Sequence, residues 1–352
     1  VERKLIARKG PVSLSLSLYV RSRQRYADAT TVSESMVSRQ RLMLSGLLGA
    51  VVLLGVGCPR QRETVTPPGG VYRSRDGGVT WEQKIRFVSG GDVTAVSPHE
   101  VLVDPFAPAT LYMAGGHFGL LRTVTAGDVW EQLTVPAATV SSVALHPRNP
   151  NILFIAGTIE DAPDRSKIWK SFDGGATWEE IYAESLGSSA EGTLFRRRRQ
   201  RPTAVMALAV DPIRPEVLMA GSSSGALVAS TDGGQTWSTR RTFTQPVLSV
   251  RISPTRERQL FVRLEDGTLA RSDDDGATAT RLTVNDGPIR ATGVLSLLFA
   301  AGDQAGSLFA GTDHGLFVST DAGDTWKVVA LPVSTQQFVP VTTVAQAVDS
   351  TL

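Results

Sequence analysis

The octapeptide SFDGGATW at residues 171–178 has the form S-x-D-x-G-x-T-W and recurs along the chain. Three further full copies begin at residues 74, 230 and 319, and two altered copies lie between them. One altered copy has Thr125 at the Asp position, and the other has Ala279 at the Trp position. The Asp positions are 76, 125, 173, 232, 274 and 321, so successive copies are 42 to 59 residues apart. A period in the forties predicts a repeat architecture.

Each residue type in the octapeptide suits a tight hairpin turn. The carboxylate of Asp173 can accept hydrogen bonds from backbone N–H groups of its own turn, and the Ser171 and Thr177 hydroxyl groups can add further local bonds. Glycine supplies positive φ at little steric cost. Trp178 offers a large apolar surface for packing between neighbouring units, together with an N–H group that needs an acceptor. These features predict a structural turn.

The octapeptide resembles the Asp-box (BNR) repeat of sialidase-like and sortilin-type β-propellers, and the resemblance covers roughly residues 70–352. It implies that the Asp boxes lie at the periphery of one face and that ligands bind the opposite face. That opposite face is made by the loops joining strands 2 and 3 and by those joining successive blades. We therefore assign structural roles to the box residues Asp76, Asp173, Asp232, Asp274, Asp321, Trp81, Trp130, Trp178, Trp237 and Trp326.

Each repeat also carries signals for four short strands. An apolar strand ends near a proline, as at Asp104 and Asp211, a second strand follows a short turn, and the box connects a third strand to a fourth. We predict an all-β propeller of four-stranded antiparallel blades, with six blades and with seven as the alternative. Pairing between the N-terminal segment near 70–87 and a C-terminal strand at 339–352 would close the ring and remove its sheet edges.

The charge of the chain is unevenly distributed. Residues 1–57 contain nine Lys and Arg and three acids, whereas the whole chain contains 36 basic and 34 acidic residues. The remainder therefore has 27 basic and 31 acidic residues, a net charge of −4. A mildly acidic body without a basic stripe argues against nucleic-acid binding. No cofactor and no metal site are predicted.

The N-terminal segment has the pattern of an export signal. Residues 36–57 contain a basic start and a short apolar run, which is typical of a signal peptide and too short for a comfortable membrane span. The sequence LGVGC at 54–58 resembles a bacterial lipobox, which implies lipidation of Cys58 and attachment to the membrane on the extracytoplasmic side of the cell envelope. A plain signal peptide with secretion, or an inserted anchor, is the alternative.

The flanking segments have no predicted fold. Residues 1–35 precede Met36, lack clear periodicity and are interpreted as an over-extended gene start. Residues 58–69 are polar and proline-rich, which is typical of a tether. The domain organisation is therefore a leader at 1–57, a tether at 58–69 and the propeller at 70–352.

Two segments in the blade that contains Asp173 exceed the repeat. The loop at 158–167 between strands 2 and 3 is long, and the exit segment at 183–203 accounts for the 59-residue step. Both are predicted to project from the face opposite the boxes, where loops commonly carry function. The candidate binding residues are Glu160, Asp161, Asp164, Arg165, Arg196, Arg197, Arg198, Arg199, Arg201, His117 and His314. The arginine run indicates either a basic patch for an acidic partner or lipid headgroups, or a solvated loop.

The same residues bear on catalysis. Sialidases begin with an F-R-I-P motif that this sequence lacks, and a glycosidase needs two carboxylates facing one cleft. Glu160, Asp161 and Asp164 supply acids without an evident pairing, so no catalytic residue is assigned. We predict a non-catalytic, monomeric binding or assembly scaffold whose partner is an unknown protein or glycan. The alternatives are a sialidase-like or xyloglucanase-like glycoside hydrolase and a protein resembling photosystem II assembly and stability factors.

Overall fold

The described part of the chain consists of β-strands and their connections. The computed structural model describes residues 71–73, 82–84, 86–91, 96, 98–160, 162–183, 203–299 and 306–329. In these ranges no helix is long and apolar enough to cross a bilayer. The predicted leader, tether and C-terminal strand lie outside them. The strands are β1 (Val71–Arg73), β2 (Glu82–Lys84), β3 (Glu100–Val103), β4 (Leu111–Ala114), β5 (Leu120–Thr123), β6 (Glu131–Leu133), β7 (Thr139–Leu145), β8 (Leu153–Ile159), β9 (Ala162–Ser171), β10 (Glu179–Ala183), β11 (Val205–Val210), β12 (Leu218–Ser222), β13 (Ala226–Ser230), β14 (Ser238–Thr242), β15 (Val247–Ile252), β16 (Leu260–Leu264), β17 (Leu269–Ser272), β18 (Thr280–Leu282), β19 (Asn285–Asp286), β20 (Ile289–Arg290), β21 (Val294–Phe299), β22 (Leu308–Thr312), β23 (Gly315–Ser319) and β24 (Lys327–Val329).

Five four-stranded antiparallel sheets account for most of these strands. They are blade A (β3–β6), blade B (β7–β10), blade C (β11–β14), blade D (β15–β18) and blade E (β21–β24). Within each sheet the strands pair in chain order, which is the arrangement of a propeller blade. The predicted β-propeller with four-stranded antiparallel blades is therefore confirmed.

Two further sheets contain two strands each. The β1–β2 pair, with Val71 opposite Lys84, precedes blade A and flanks the first box, whose residues 74–81, including Asp76 and Trp81, are outside the described ranges. The β19–β20 hairpin lies between blades D and E in the chain. The position of β1–β2 is consistent with the outer strands of a sixth blade. Six blades remain a prediction, because the C-terminal strand that would complete this blade is not among the described residues.

The second strand of each blade is apolar on both faces, because each blade packs against two neighbours. In β12 every residue is buried, and successive side chains point to opposite sides. Leu218 and Ala220 pack with side chains of blade B, whereas Met219 packs with side chains of blade D. The fourth strands, such as β14 and β18, are largely exposed and polar. The hydrophobic core is therefore a series of layers between blades.

The box tryptophans connect neighbouring blades. In three blades the indole N–H donates to a backbone carbonyl in or just after the last described strand of the preceding sheet. These bonds are Trp130 Nε1 to Lys84 O (3.3 Å), Trp178 Nε1 to Thr134 O (3.1 Å) and Trp237 Nε1 to Ile181 O (3.2 Å). In blade E, the buried Trp326 packs with Phe261 and Leu269 of blade D and donates to Gly323 O within its own box. These contacts join each of the four boxes to the preceding sheet.

A second contact between blades uses the residue that follows the Asp position. This residue adopts positive φ in each described box, with φ of 74° at Gly174 and 62° at Ala322. In four boxes its carbonyl oxygen accepts a hydrogen bond from a cationic side chain of the preceding sheet. The pairs are Arg73 with Ala126 (2.7 Å), Lys170 with Gly233 (3.2 Å), Arg240 with Asp275 (3.2 Å) and Arg271 with Ala322 (2.9 Å). The left-handed turn thus presents an acceptor to the neighbouring blade.

The box of blade D lacks its tryptophan and is held by ion pairs. Asp275 is 8% exposed, and its carboxylate contacts Arg214 of blade C at 2.6 Å and Arg258 of its own blade at 3.0 Å. Arg214 also pairs with Asp211 at 2.7 Å. Although burial raises the pKa of Asp275, the Arg214 and Arg258 guanidinium groups hold it below its ordinary value. An ionic contact thus joins this box, which has no indole, to the preceding blade.

We predict that Asp275→Asn destabilises the chain by about 2 kcal/mol, because it leaves the half-buried Arg214 without its charge partner in blade D. This value lies between the contribution of exposed ion pairs, about 0–1 kcal/mol, and the cost of breaking buried ones, about 3–5 kcal/mol. Asparagine tolerates positive φ, so the substitution isolates the charge. Chemical denaturation of Asp275→Asn, Arg214→Met and the double variant would give the coupling energy. Additive effects would contradict the ionic contact, and the exposed Asp266→Asn serves as the control.

Candidate functional site

The hydrogen bonds of the Asp box are satisfied within the turn itself. Asp173 Oδ1 accepts from the N–H groups of Ala176 (3.0 Å) and Thr177 (2.8 Å), and its Oδ2 accepts from the Thr177 hydroxyl (2.5 Å). Ser171 Oγ donates to Asp173 Oδ1 and accepts from the N–H of Gly175, both at 2.8 Å. The Ser, Asp and Thr bonds recur around Asp232, Asp274 and Asp321. These carboxylates therefore have a structural role in their turns.

These bonds also shift the acidity of the box. Hydrogen bonds from Thr177 and Ser171 lower the pKa of Asp173 to about 2, and those from Thr278 and Ser272 lower the pKa of Asp274 to about 2. For Asp321, burial opposes the same hydrogen bonds, and its pKa is still lowered to about 2. A general acid needs a raised pKa, so the direction of these shifts is opposite to a role in acid catalysis.

The boxes define one end of the blades. The N–H of Gly174 donates to Asn151 O and the N–H of Gly233 to Glu216 O, so each box touches the loop between strands 1 and 2 of its own blade. In an antiparallel meander, the loops between strands 2 and 3 must lie at the other end. His117, Glu160 and His314 occupy such loops, in blades A, B and E. The predicted candidate face is therefore opposite the boxes.

The two candidate histidines belong to non-adjacent blades. His117 is exposed, whereas His314 is half-buried, with its Nδ1 3.0 Å from Asp313 Oδ1. Burial raises the pKa of Asp313, but hydrogen bonds from His314 and Thr292 hold it below its ordinary value. Among the described residues there is no group of three or more His, Cys, Asp and Glu side chains that could hold a metal ion.

The long loop predicted at 158–167 is instead an extension of strands β8 and β9, so this prediction was wrong. Thr158 pairs with Ser166 and Ile159 with Ala162 across a register shift, which leaves Glu160 at the end of β8. The buried Ser166 stabilises the extension by donating to Gly157 O at 2.9 Å. The two strands therefore extend blade B as a hairpin.

The exit segment of blade B returns next to this hairpin. Arg165, which is exposed on β9, forms a parallel bridge with Thr203, the first described residue after the exit segment. The two departures from the repeat are thus neighbours at their described ends. The other candidates here are outside the described residues: Asp161, the side chain of Asp164, Arg196, Arg197, Arg198, Arg199 and Arg201, together with the predicted lipidation residue Cys58.

Sequence reasoning missed a polar cavity where the first strands of the blades meet. In blades B to E, the first strand has a register shift near its start, which leaves one extra residue unpaired. These residues, Ser141, Met206, Leu248 and Leu295, line a cavity of about 60 Å³. The first strands begin at the end opposite the boxes, so the cavity lies toward the candidate face. Bulges at corresponding positions of the first strands mark this cavity, but the sequence alone does not reveal the strand register that produces them.

An ion pair spans this cavity. Glu100 of blade A is 8% exposed, and its Oε1 lies 2.6 Å from Arg251 Nη1 of blade D. Its Oε2 accepts from the Ser142 hydroxyl (2.6 Å) and from the N–H of Val143 (3.2 Å) in blade B. Arg251 Nε donates to Leu297 O of blade E at 3.2 Å. These two side chains tie four blades together, so the Glu100 carboxylate is fully engaged.

The recurring aspartates also have local partners, as predicted. Asp104 Oδ1 accepts from the N–H of Phe106 at 2.8 Å, and Asp211 Oδ1 accepts from the N–H of Ile213 at 2.8 Å. Both carboxylates therefore stabilise turns. Neither forms a pair of facing carboxylates of the kind that glycoside hydrolysis requires.

Two family models match parts of the chain. The model described as Sortilin, neurotensin receptor 3 (Sortilin-Vps10) matches residues 69–206, and the BNR/Asp-box repeat model matches residues 228–239. Together with the observed blades, they support a sialidase-like or sortilin-type β-propeller built from Asp-box repeats.

Two characterised enzymes are similar in sequence. A xyloglucanase of Paenibacillus sp is 23% identical over 207 residues, covering 49% of this chain and 19% of the enzyme. Xyloglucanase Xgh74A of Acetivibrio thermocellus is 34% identical over 109 residues, covering 30% of this chain and 12% of the enzyme. The chain thus matches less than a fifth of either relative's length.

Two solved structures are similar to part of this chain. YCF48 from Cyanidioschyzon merolae is 16% identical with a TM-score of 0.49, covering 76% of this chain and 80% of its own. An ancestral GH74 enzyme is 16% identical with a TM-score of 0.47, covering 66% of this chain and 31% of its own.

The box carboxylates predict a loss of stability in acid. Their pKa is about 2 in the folded chain for Asp173, Asp274 and Asp321, below the ordinary value of 3.8. The unfolded chain therefore takes up protons first, so their contribution is present above pH 4 and lost as the pH falls to about 2. We expect Tm to fall through this window, and to fall less in Asp173→Asn/Asp321→Asn.

Differential scanning calorimetry from pH 5 to about 2 would check this expectation. The exposed Glu257→Gln is the matched control, because it removes a carboxylate without altering a box, and it should follow the wild type. An equally steep acid loss in the double box variant would show that these hydrogen bonds do not contribute to stability.

Proposed function

We propose that this propeller is a non-catalytic binding scaffold whose docking surface is formed by the two insertions of blade B. The supporting observation is the bridge between Arg165 and Thr203, which places the described ends of both insertions side by side opposite the boxes. The exit segment carries five arginines in its sequence, at residues 196–199 and 201, and this charge suits a protein partner with an acidic surface. The paired backbone of β8 and β9 lowers the entropy cost of ordering this surface on binding.

The hydrogen bonds and ion pairs of three carboxylates also support a binding function over hydrolysis. Glu100 is held by Arg251 and Ser142, whereas Asp104 and Asp211 accept bonds from their own turns. A hydrolytic pair needs one carboxyl group free to protonate a leaving group and a second free to act on the sugar or on water. The described carboxylates in the loops between strands 2 and 3 of this face belong to different blades: Glu160 to blade B, Glu265 and Asp266 to blade D, and Asp313 to blade E.

The proposal includes export and attachment through Cys58. The basic residues before an apolar run, and the position of the single cysteine at its end, are the features that support this location. Lipidation would hold the docking surface near a membrane. Incorporation of labelled palmitate that is lost in Cys58→Ala would support the anchor, and no incorporation in the wild type would contradict it.

A second candidate function is carbohydrate hydrolysis, because two xyloglucanases share sequence with part of this chain. A screen with xyloglucan oligosaccharides and fluorogenic sialosides distinguishes the two functions. We expect no turnover above a heat-denatured control. Turnover that is abolished in Glu160→Gln, Asp161→Asn or Asp164→Asn, in a variant with an unchanged Tm, would establish hydrolysis and overturn the scaffold proposal.

Deletion of residues 184–202 is expected to abolish partner capture while leaving the fold intact, because the deletion removes the arginine run but no described strand. Cross-linking of the full chain in envelope extracts, followed by quantitative mass spectrometry, would measure capture against the wild type. The control is Asp232→Asn, which alters a box on the opposite face and should retain the same partners.

The comparison should include a variant in which Arg196, Arg197, Arg198, Arg199 and Arg201 are replaced by serine. Loss of capture in this variant would assign binding to charge, whereas loss only in the deletion would assign it to shape. Unchanged capture in both would overturn the docking surface. Binding to anionic vesicles that depends on these arginines, without capture of any protein, would indicate a lipid surface in place of a protein partner.

A further inference from the structure

Arg263 is a half-buried cation that lines the central cavity. It lies on β16 between Ser249 and Leu269, and its Nε atom is buried with no hydrogen-bond partner. The Nε atoms of Arg73 and Arg271 are likewise unbonded, but their terminal nitrogens donate to box carbonyls at 2.7 and 2.9 Å. No hydrogen bond or ion pair joins the Arg263 guanidinium to any residue in the described ranges. A desolvated charge without a partner is costly, so its presence calls for an explanation.

The surroundings of Arg263 disfavour its positive charge. Burial, and to a smaller degree the charge of Arg251, lower the pKa of Arg263 to about 10. Arg251 itself is already paired with Glu100 at 2.6 Å, so this carboxylate cannot fully compensate two guanidinium groups. Among the described residues that line the cavity, one positive charge is therefore uncompensated.

The remaining lining of the cavity combines polar and apolar groups. Ser249 contributes a hydroxyl group to the wall, the Ser141 and Ser142 hydroxyl groups already donate to Val205 O and Glu100 Oε2, and Met206 and Leu248 contribute apolar surface. The volume of about 60 Å³ is several times the space that one water molecule needs, about 10–15 Å³, but far below that of a site for a drug-sized ligand, about 300–1,000 Å³. A sugar ring is thus excluded by size.

We propose that the cavity binds a small monovalent anion, such as a halide or formate, with Arg263 as its charge partner. One negative charge would neutralise the site, whereas a phosphate dianion would reverse its sign. A guanidinium group and serine hydroxyl groups can donate to either a halide or a carboxylate. The bound anion would sit where the first strands of the blades converge and would thereby stabilise the ring.

This site is separate from the docking surface of blade B. The charge and donors come from blades A, B, D and E at the axis, and none comes from the hairpin tip or the arginine run. Anion binding therefore survives deletion of residues 184–202, and partner capture can fail without affecting it.

Thermal unfolding of the full chain tests this inference. The protein is held at constant ionic strength in sodium gluconate, whose anion is too large for the cavity, and chloride or formate is exchanged for gluconate in separate titrations. Constant ionic strength removes general screening as a cause. We expect Tm to rise with saturation in the wild type, and the anion with the lower midpoint concentration identifies the preferred ligand.

Variants of Arg263 assign the effect to the cavity. Arg263→Met should lose the anion-dependent rise, and its Tm in gluconate should equal or exceed that of the wild type, because an uncompensated buried charge has been removed. Arg263→Lys retains the charge but loses the planar donor fork, and its midpoint concentration should increase about ten-fold, the equivalent of one charge-assisted hydrogen bond. The exposed Arg256→Met is the matched control and should respond as the wild type does.

Two outcomes would overturn the inference. A rise in Tm that persists in both Arg263→Met and Arg263→Lys would place the anion elsewhere. A wild type that shows no rise with either anion, under conditions where the control protein is folded, would show that Arg263 is tolerated without a counterion.

Discussion

The contact between each Asp box and the preceding blade is the constraint on which the ring depends. A blade has two broad faces and can satisfy neither alone, so its stability comes from how it joins its neighbours. The box supplies this junction in two ways: an indole N–H that reaches the neighbouring fourth strand, as at Trp237, and a left-handed carbonyl that accepts from a neighbouring cation, as at Ala322. The aspartate contributes indirectly, by holding the turn that aims both groups.

Blade D shows that the junction matters more than the residue that makes it. Its box has Ala279 in place of tryptophan, yet Asp275 keeps the positive φ and adds a carboxylate between Arg214 and Arg258. This box, which has no indole, is joined to blade C by an ionic contact. The ionic contact also predicts a different response to salt and acid at this junction, because ion pairs are screened and titrate, whereas indole packing does not.

The two ends of the propeller have different tasks. The box end is locally saturated, since its carboxylates, hydroxyls and turn N–H groups bond to one another. The opposite end carries the hairpin of blade B, the start of its exit segment and the bulges around the cavity. Register shifts at Ser141, Met206, Leu248 and Leu295 recur there, and a bulge re-aims the extra residue. The hairpin, the start of the exit segment and the bulges therefore all lie at the end where recognition is proposed.

The sequence by itself determined the repeat, the four-stranded blades and the structural role of residues such as Asp173 and Trp178. These follow from bonds that close within four residues and from strand patterns of a few residues, which a linear motif records completely. Only the tertiary structure decided that Glu100 meets Arg251 across 151 positions, that Arg263 has no partner among the described residues, that Asp275 pairs with Arg214 of the neighbouring blade, and that Ser166 continues β9 opposite Thr158. Those outcomes depend on strand register and on which blades face each other around the axis, and neither is encoded in the spacing of the boxes.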